Sequence, residues 1–213
     1  RAGPGHHAFE RVVPWSGAWI GVHTAGLRPA RRQLRARARA LRLLGFRALA
    51  PGLAVRPDNL AGGVPAVRAR LHSLGLDPEA LVVGLGALDP ATELRARALW
   101  DTVALRAGYR TLAGALRRSA RRLPALPPEH AMAESFLLGG RVLRAIVLDP
   151  LLPNPLAPAR ERAALVAAMR RYDRLGRSAW ASFLRTAGFT AVRTPDLHVI
   201  GAPGHLAAVG GER

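Results

Sequence analysis

Cysteine is absent from this chain of 213 residues. That excludes disulfides, thiolate catalysis and cysteine-ligated zinc, and it suits a reducing cytosol. Lysine is absent too: all 32 Lys-plus-Arg positions are Arg, so a Walker-type phosphate loop, which needs Lys, is excluded. Aromatic residues reach only 5% and are widely spaced, so no basic patch is interleaved with the exposed rings that stack single-stranded bases. No apolar run reaches the roughly 18 residues a membrane span needs. The nearest candidate, Val12 to Leu27, is interrupted by Pro14, His23 and several glycines. Acids are scarce as well, 14 against the 32 arginines.

What remains is apolar and strongly cationic. Hydrophobic residues make up 49%, ample for a packed core, and charged residues an ordinary 22%. The formal net charge is +18. Abundant Ala, Gly and Pro beside Arg without Lys point to high-GC codon bias, which explains the choice of Arg but not the shortage of acids. So cationic a chain is expected to bind polyanions, and less so at high salt. The alternative is drifted composition with a solvated cationic surface.

Turn signals and periodicity divide the chain. Residues 1–13 read as a linker or the remnant of a preceding domain. The chain starts at Arg1 with no signal-peptide pattern, which is the expectation for a fragment or truncated product. Trp19 to Thr24 reads as a strand, Pro29 to Leu44 as a helix stopped by Gly45, and Phe46 to Val55 as two strands bent at Pro51-Gly52. Val64 to Leu74 reads as a helix ended by Gly75, and the apolar run Leu81 to Leu88 as a buried strand. This order predicts an α+β fold, a small sandwich over 14–90 with its helices on one sheet face. An all-helical domain is predicted over 91–188: Leu94 to Leu123 as one helix or two, Glu129 to Leu148, and Ala159 to Ala187 after a proline-rich connection. Residues 189–213 read as a weakly ordered tail.

Stepping about 100° per residue along the first helix puts Leu27, Ala30, Leu34, Ala38 and Leu41 on one arc. Arg28, Arg31, Arg32, Arg35, Arg39 and Arg42 fill the adjacent arc. The first is the expected core face, the second a candidate contact for phosphate, since the guanidinium fork binds oxyanions bidentately. A second basic cluster, Arg106, Arg110, Arg117 and Arg121 with Arg118 and Arg122, also fits one helix face. Searches for catalysis are negative. Gly84-Leu85-Gly86 lacks the third glycine of a dinucleotide loop, and no Gly-x-Ser-x-Gly occurs. His130 and Glu134 stand four apart, but two ligands make no metal site. No carboxylate pair suggests acid/base work. The expectation is a non-enzyme with no cofactor and no metal, in which Trp100 and Tyr109 are core anchors.

Several ordered motifs resemble the PaaX-type transcriptional regulators, the phenylacetate-degradation repressor family. They are Trp15-Ser16-Gly17-Ala18-Trp19; the Arg-rich stretch from Arg31 through Leu44-Gly45-Phe46; Pro51-Gly52 leading to Val55-Arg56-Pro57; Trp100-Asp101 with Tyr109; and Asp149-Pro150-Leu151-Leu152-Pro153 before Leu156 and Pro158. The resemblance covers about residues 14 to 187. It implies a cytoplasmic, homodimeric repressor of aromatic-acid catabolism, with an N-terminal winged helix that reads DNA, a ferredoxin-like middle domain and a helical C-terminal domain. It also implies an aryl-acetyl-coenzyme A effector that releases the repressor from DNA. The winged helix has no counterpart in these residues, so this chain is expected to be the dimerisation and effector-binding part. Ala159-Arg160 departs from the family, which has a Trp soon after the Pro158 position. The middle domain is also similar to the small ferredoxin-like CRISPR adaptation nuclease. That leaves two alternatives: a general nucleic-acid-binding protein without a ligand, or a metal-dependent nuclease relative lacking its Asp. The first strand ends Gly21-Val22-His23-Thr24, with no carboxylate for a hard cation.

Overall fold

The computed structural model describes residues 12–154 and 156–188. The expected tail 189–213 and most of the expected linker lie outside them. Val12 and Val13 of that linker pair instead with the main fold, through a bridge from Val12 to Leu60 and a Val13 N–H bond of 2.9 Å to the Asn59 carbonyl.

The elements are β1 (Trp19–His23), α1 (Arg31–Leu43), β2 (Arg47–Ala50), β3 (Leu53–Pro57), α2 (Gly63–Ser73), β4 (Leu81–Leu85), α3 (Pro90–Arg97), α4 (Thr102–Arg122), α5 (Pro128–Val147) and α6 (Ala159–Thr186). The fold is α+β. One compact unit holds residues 12–104 and 148–159, the other 105–147 and 160–188. The connection 148–159, expected with the helical half, therefore belongs to the first unit, as does α3. Long-range contacts override position along the chain: a Cβ on Gly45 would meet the Pro150 backbone at 2.8 Å, and Asn59 Nδ2 donates 2.8 Å to the Leu151 carbonyl.

In the first unit, four antiparallel strands form a sheet in the order β2-β3-β1-β4, with Trp19 opposite Pro57 on one side and Leu85 on the other. Strand alternation sends Ile20 and Val22 to the helix side. There they pack with Ala40 and Leu44 from α1 and its end, Val67 and Leu71 from α2, and Val82 from β4. Burying a large apolar side chain of this kind contributes about 2 kcal/mol. On the opposite face the fully buried Trp19 stacks on Trp100 with ring centroids 6.0 Å apart, and its Nε1 donates 2.8 Å to Glu93 of α3.

The strand at Leu81–Leu85 is not buried as expected. It is an edge, with Leu81 and Val83 59% and 39% exposed and only Val82 in the core. Arg68 Nη2 caps the Val82 carbonyl at 2.7 Å, a charge placed on an edge that otherwise invites pairing.

Both helices over the sheet end in the same glycine motif. Gly45 has φ +73°, and the next amide, Phe46 N–H, reaches back 2.9 Å to the Leu41 carbonyl. Leu76 N–H does the same to Leu71. The segment read as one helix or two is two. Asp89 caps α3, accepting from the amides of Ala91 and Thr92 at 3.1 and 3.0 Å, with Pro90 at the first helical position. Asp101 then restarts the chain as α4 by accepting from Ala104 N–H at 2.8 Å.

The helical unit buries Tyr109, Leu116, Leu123, Val142, Leu165, Met169 and Tyr172. Glycine lets helices approach: Ser135 and Met169 lie 3.3 and 3.6 Å from the positions a Cβ would take on Gly176 and Gly139. Among the described residues, no helix is long and apolar enough to cross a membrane.

Candidate functional site

The rotation of α1 about its axis is fixed by polar anchors. Gln33 Nε2 donates 3.1 Å to the Gly75 carbonyl, and Arg37 Nε donates 2.6 Å to Asp77 Oδ2. Ala40 is fully buried and Leu44 nearly so. At 100° per residue, positions 33, 37, 40 and 44 fall on one line. Arg31, Arg32, Arg35, Arg39 and Arg42 then fall on the opposite side; Arg28, expected on the same helix face, precedes the helix, and all six are exposed. None of them has a hydrogen-bond or ion-pair partner among the described residues.

The expected core arc is corrected by this rotation. Leu34 is 46% exposed, and Ala30 and Ala38 are exposed; only Leu27 and Leu41 pack on the core. Counting apolar residues misplaced the buried line by about a quarter turn, because Gln33 and Arg37 lay aliphatic stems inward and carry their polar tips to specific acceptors. Arg37 is the arginine the sequence reading passed over. Its side chain is 12% exposed, and the Asp77 side chain 5%. The guanidinium holds the Asp77 carboxyl below the usual carboxylate range, chiefly through that hydrogen bond, and is itself raised by it.

The ridge is costly to keep. Like charges four residues apart, as in Arg31/Arg35 and Arg35/Arg39, cost a few tenths of a kcal/mol each. Arg31 and Arg32 sit in the first turn, where the helix dipole disfavours cations, and Ala30 supplies no side-chain cap. α1 carries no acid at all.

The second basic cluster behaves differently. Arg106 and Arg110 reach Glu161 of α6 at 3.4 and 3.0 Å, and Arg122 reaches Glu134 of α5 at 2.9 Å. Arg117, Arg118 and Arg121 are exposed without such partners among the described residues. The cluster is thus divided between paired and free cations rather than forming one continuous charge. Glu134 also accepts from the Ser119 hydroxyl, which lies 2.7 Å from the Tyr172 hydroxyl. Burial raises the Tyr172 phenol. Glu134 is therefore committed to Ser119 and Arg122, and His130 stands 3.8 Å from Glu129 instead. No group of three metal-ligating side chains occurs among the described residues.

The motif residues hold structure. Gly52 turns the β2–β3 hairpin at φ +72°, and a Cβ there would strike the Ala25 backbone at 2.9 Å. Pro51 is exposed beside it. Trp100 donates 3.2 Å to the Gly45 carbonyl, Asp149 accepts 2.8 Å from Leu151 N–H, and Pro150 and Pro153 are buried. Tyr109 lies in the core of the helical unit. Sequence reading missed one further group. Arg56 is 1% exposed, donates to the carbonyls of Leu44 and Pro57, and meets Asn59 Oδ1 at 3.0 Å. Burial pulls its guanidinium down to about 10, with Asp58 opposing. No sequence signal separates this buried Arg from the exposed ones except its place directly after the apolar run Leu53-Ala54-Val55.

The helical unit has an apolar recess of about 250 Å³ lined by Leu123, Leu126, Ala131, Leu175 and the serines 178 and 182. Ser178 already donates 3.2 Å to the Arg174 carbonyl.

The fold and the ridge together define an α+β protein with one cation-lined helix over an antiparallel sheet. No family model matches the chain, and no curated protein matches it. Among solved structures it is similar to the uncharacterized protein Rv0674 from Mycobacterium tuberculosis, at 22% identity and a TM-score of 0.52. The match covers 79% of this chain and 66% of that one, and it is a likeness of fold alone.

Proposed function

We propose that this chain is the dimerisation and effector-binding part of a PaaX-type transcriptional repressor, and that it meets polyanions through the outer side of α1. The observation that carries the reading is the ridge of five exposed guanidiniums, without partners among the described residues, on a helix whose opposite side is pinned by Gln33 and Arg37. An anion on that side removes the like-charge and dipole costs that the free helix bears.

The β–α–β–β–α–β order with strands arranged β2-β3-β1-β4 supports reading the first unit as a ferredoxin-like sandwich and as the middle domain of such a regulator. Phosphate contacts of this kind position a protein without reading sequence, so base recognition is assigned to a winged helix. The effector of the proposal is an aryl-acetyl-coenzyme A thioester, whose phosphates suit the guanidinium fork. The reading has no catalytic step.

Thermal unfolding with phenylacetyl-coenzyme A tests it. A ligand that binds only the native state raises Tm, by about 2.7 kcal/mol of added stability at a hundred times its Kd. A rise is expected. No shift at saturating ligand removes the effector role, and salt-sensitive duplex binding without it makes the chain a general nucleic-acid binder.

A further inference from the structure

We infer that the outer face of α5 is a self-complementary seam on which a second copy of this chain packs antiparallel across a two-fold axis. This rests on the dimerisation reading above and names its surface. The seam is Glu129, Ala133, Phe136, Leu137, Gly140 and Arg144, all exposed. At about 100° per residue, the six fall within one arc of about 100°. Phe136 and Leu137 are 65% and 71% exposed, side by side at its centre. The Phe136 ring meets Trp180 of α6 edge to face, with centroids 6.3 Å apart, which adds a second aromatic to the patch. A contiguous apolar patch of this kind marks a contact surface, and aromatic rings are enriched in such contacts.

The order of the residues selects the occupant. A two-fold axis midway between Phe136 and Leu137 sets residues equally far from that midpoint opposite one another. Phe136 of one copy then meets Leu137 of the other, Ala133 meets Gly140, and Glu129 meets Arg144, each pair formed twice. One register thus supplies an apolar centre, a close approach and two ion pairs. The close approach is possible because Ala133 is small and Gly140 has no side chain; a Cβ on Gly140 would meet nothing of its own chain within 4 Å. The steps of four, three and four residues from Ala133 through Leu137 and Gly140 to Arg144 suit a seam between helices crossing at about 20°. Glu129 and Arg144 lie about 11 Å either side of the midpoint. There such a crossing has opened the axes sideways by only about 4 Å, which keeps the two side chains within reach of each other.

Charge makes this seam selective. A net charge of +18 on each copy opposes association at arbitrary surfaces. On the α5 seam an acid stands in the first turn, a base in the last, and no charge between them. Antiparallel packing sets the acidic end of each helix beside the basic end of the other, and the opposite poles of the two helix dipoles beside one another. Both end groups are available: Arg144 has no ion pair among the described residues, and Glu129 has only His130 at 3.8 Å.

Sedimentation equilibrium on the full chain, from low to high micromolar concentration at physiological salt, tests the seam. A monomer–dimer equilibrium is expected. Leu137→Glu sets two carboxylates against the apolar centre and is expected to weaken the dimer more than about a hundredfold. Val103→Glu, at a 76% exposed apolar site on α4, is expected to leave it unchanged. Glu129→Arg and Arg144→Glu are each expected to weaken it by about tenfold, since each turns two ion pairs into two repulsions. An equimolar mixture of those two variants is expected to regain the unmodified affinity, because every altered charge then faces its opposite. Equal effects of Leu137→Glu and Val103→Glu overturn the seam while the dimerisation reading stands. So does a mixture that associates no more tightly than its components. A chain that is monomeric at every concentration overturns both.

Discussion

Arginines recur at similar helical spacing in α1 and α4, yet the two helices use them in opposite ways. Along α1 the outer cations have no partner among the described residues, while on α4 Arg106 and Arg110 share Glu161 and Arg122 takes Glu134. Among the described residues, the one acid that reaches α1 is Asp77, and it does so on the inner side, through Arg37. Spacing along a helix therefore places a guanidinium on a face but does not decide whether its charge is available. That is decided by acids supplied from distant segments, and in this chain the acids are few enough to leave one helix bare.

The largest expected effect comes from breaking the inner pair. Asp77→Ala strips the carboxylate from a largely buried guanidinium whose Nη2 already lacks a partner. Removing one member of a buried ion pair costs about 3 kcal/mol, to be read as a lower midpoint in urea unfolding. The pH dependence has a definite sign. The Asp77 carboxyl is lower in the folded chain than in the unfolded one, so its contribution is fully present above about pH 4 and is lost as pH falls through the lowered value. Asp77→Ala is expected to flatten that acid limb. An unchanged urea midpoint would make the inner arginine equivalent to the outer ones and erase the distinction.

Charge reversal on the outer side sharpens the contrast. Arg31→Glu with Arg35→Glu is expected to reduce duplex affinity more than tenfold at low salt. Stability should stay within about 0.5 kcal/mol per substitution, or rise slightly, because surface changes are mild and an acid in the first turn suits the dipole. Anisotropy and urea melts on the same variant separate the two quantities. Unchanged affinity would leave the ridge as a solvated face.

Local chemistry was legible in the sequence, and long-range pairing was not. Pro51-Gly52, Gly45, Gly75 and the apolar alternation of Trp19–His23 announce the hairpin, the helix stops and the first strand, because each acts within a few residues. Trp100 and Tyr109 were legible as core by size and sparsity, and both are buried. The rotation of α1 was not, because Gln33 and Arg37 face inward only where Gly75 and Asp77 wait for them, 42 and 40 residues on. The membership of Asp149–Pro158 was hidden for the same reason: Asn59 meets Leu151 across 92 residues. Of the second basic cluster, periodicity gave the face and nothing gave Glu161.

The smallest expected effect tests whether pairing alone separates α4 from α1. Glu161→Gln removes the acid shared by two arginines that are 53% and 68% exposed. Exposed pairs contribute about 0–1 kcal/mol, so the melting temperature is expected to move little. Two cations are released, however, and two added phosphate contacts would steepen the duplex salt slope by up to about 1.8. Later elution from heparin, together with a steeper slope, would show that Glu161 is what keeps this part of α4 out of polyanion binding. Unchanged elution would mean that released charge on α4 does not suffice, and that the uninterrupted, rotationally fixed line on α1 is the distinguishing feature rather than the absence of acids.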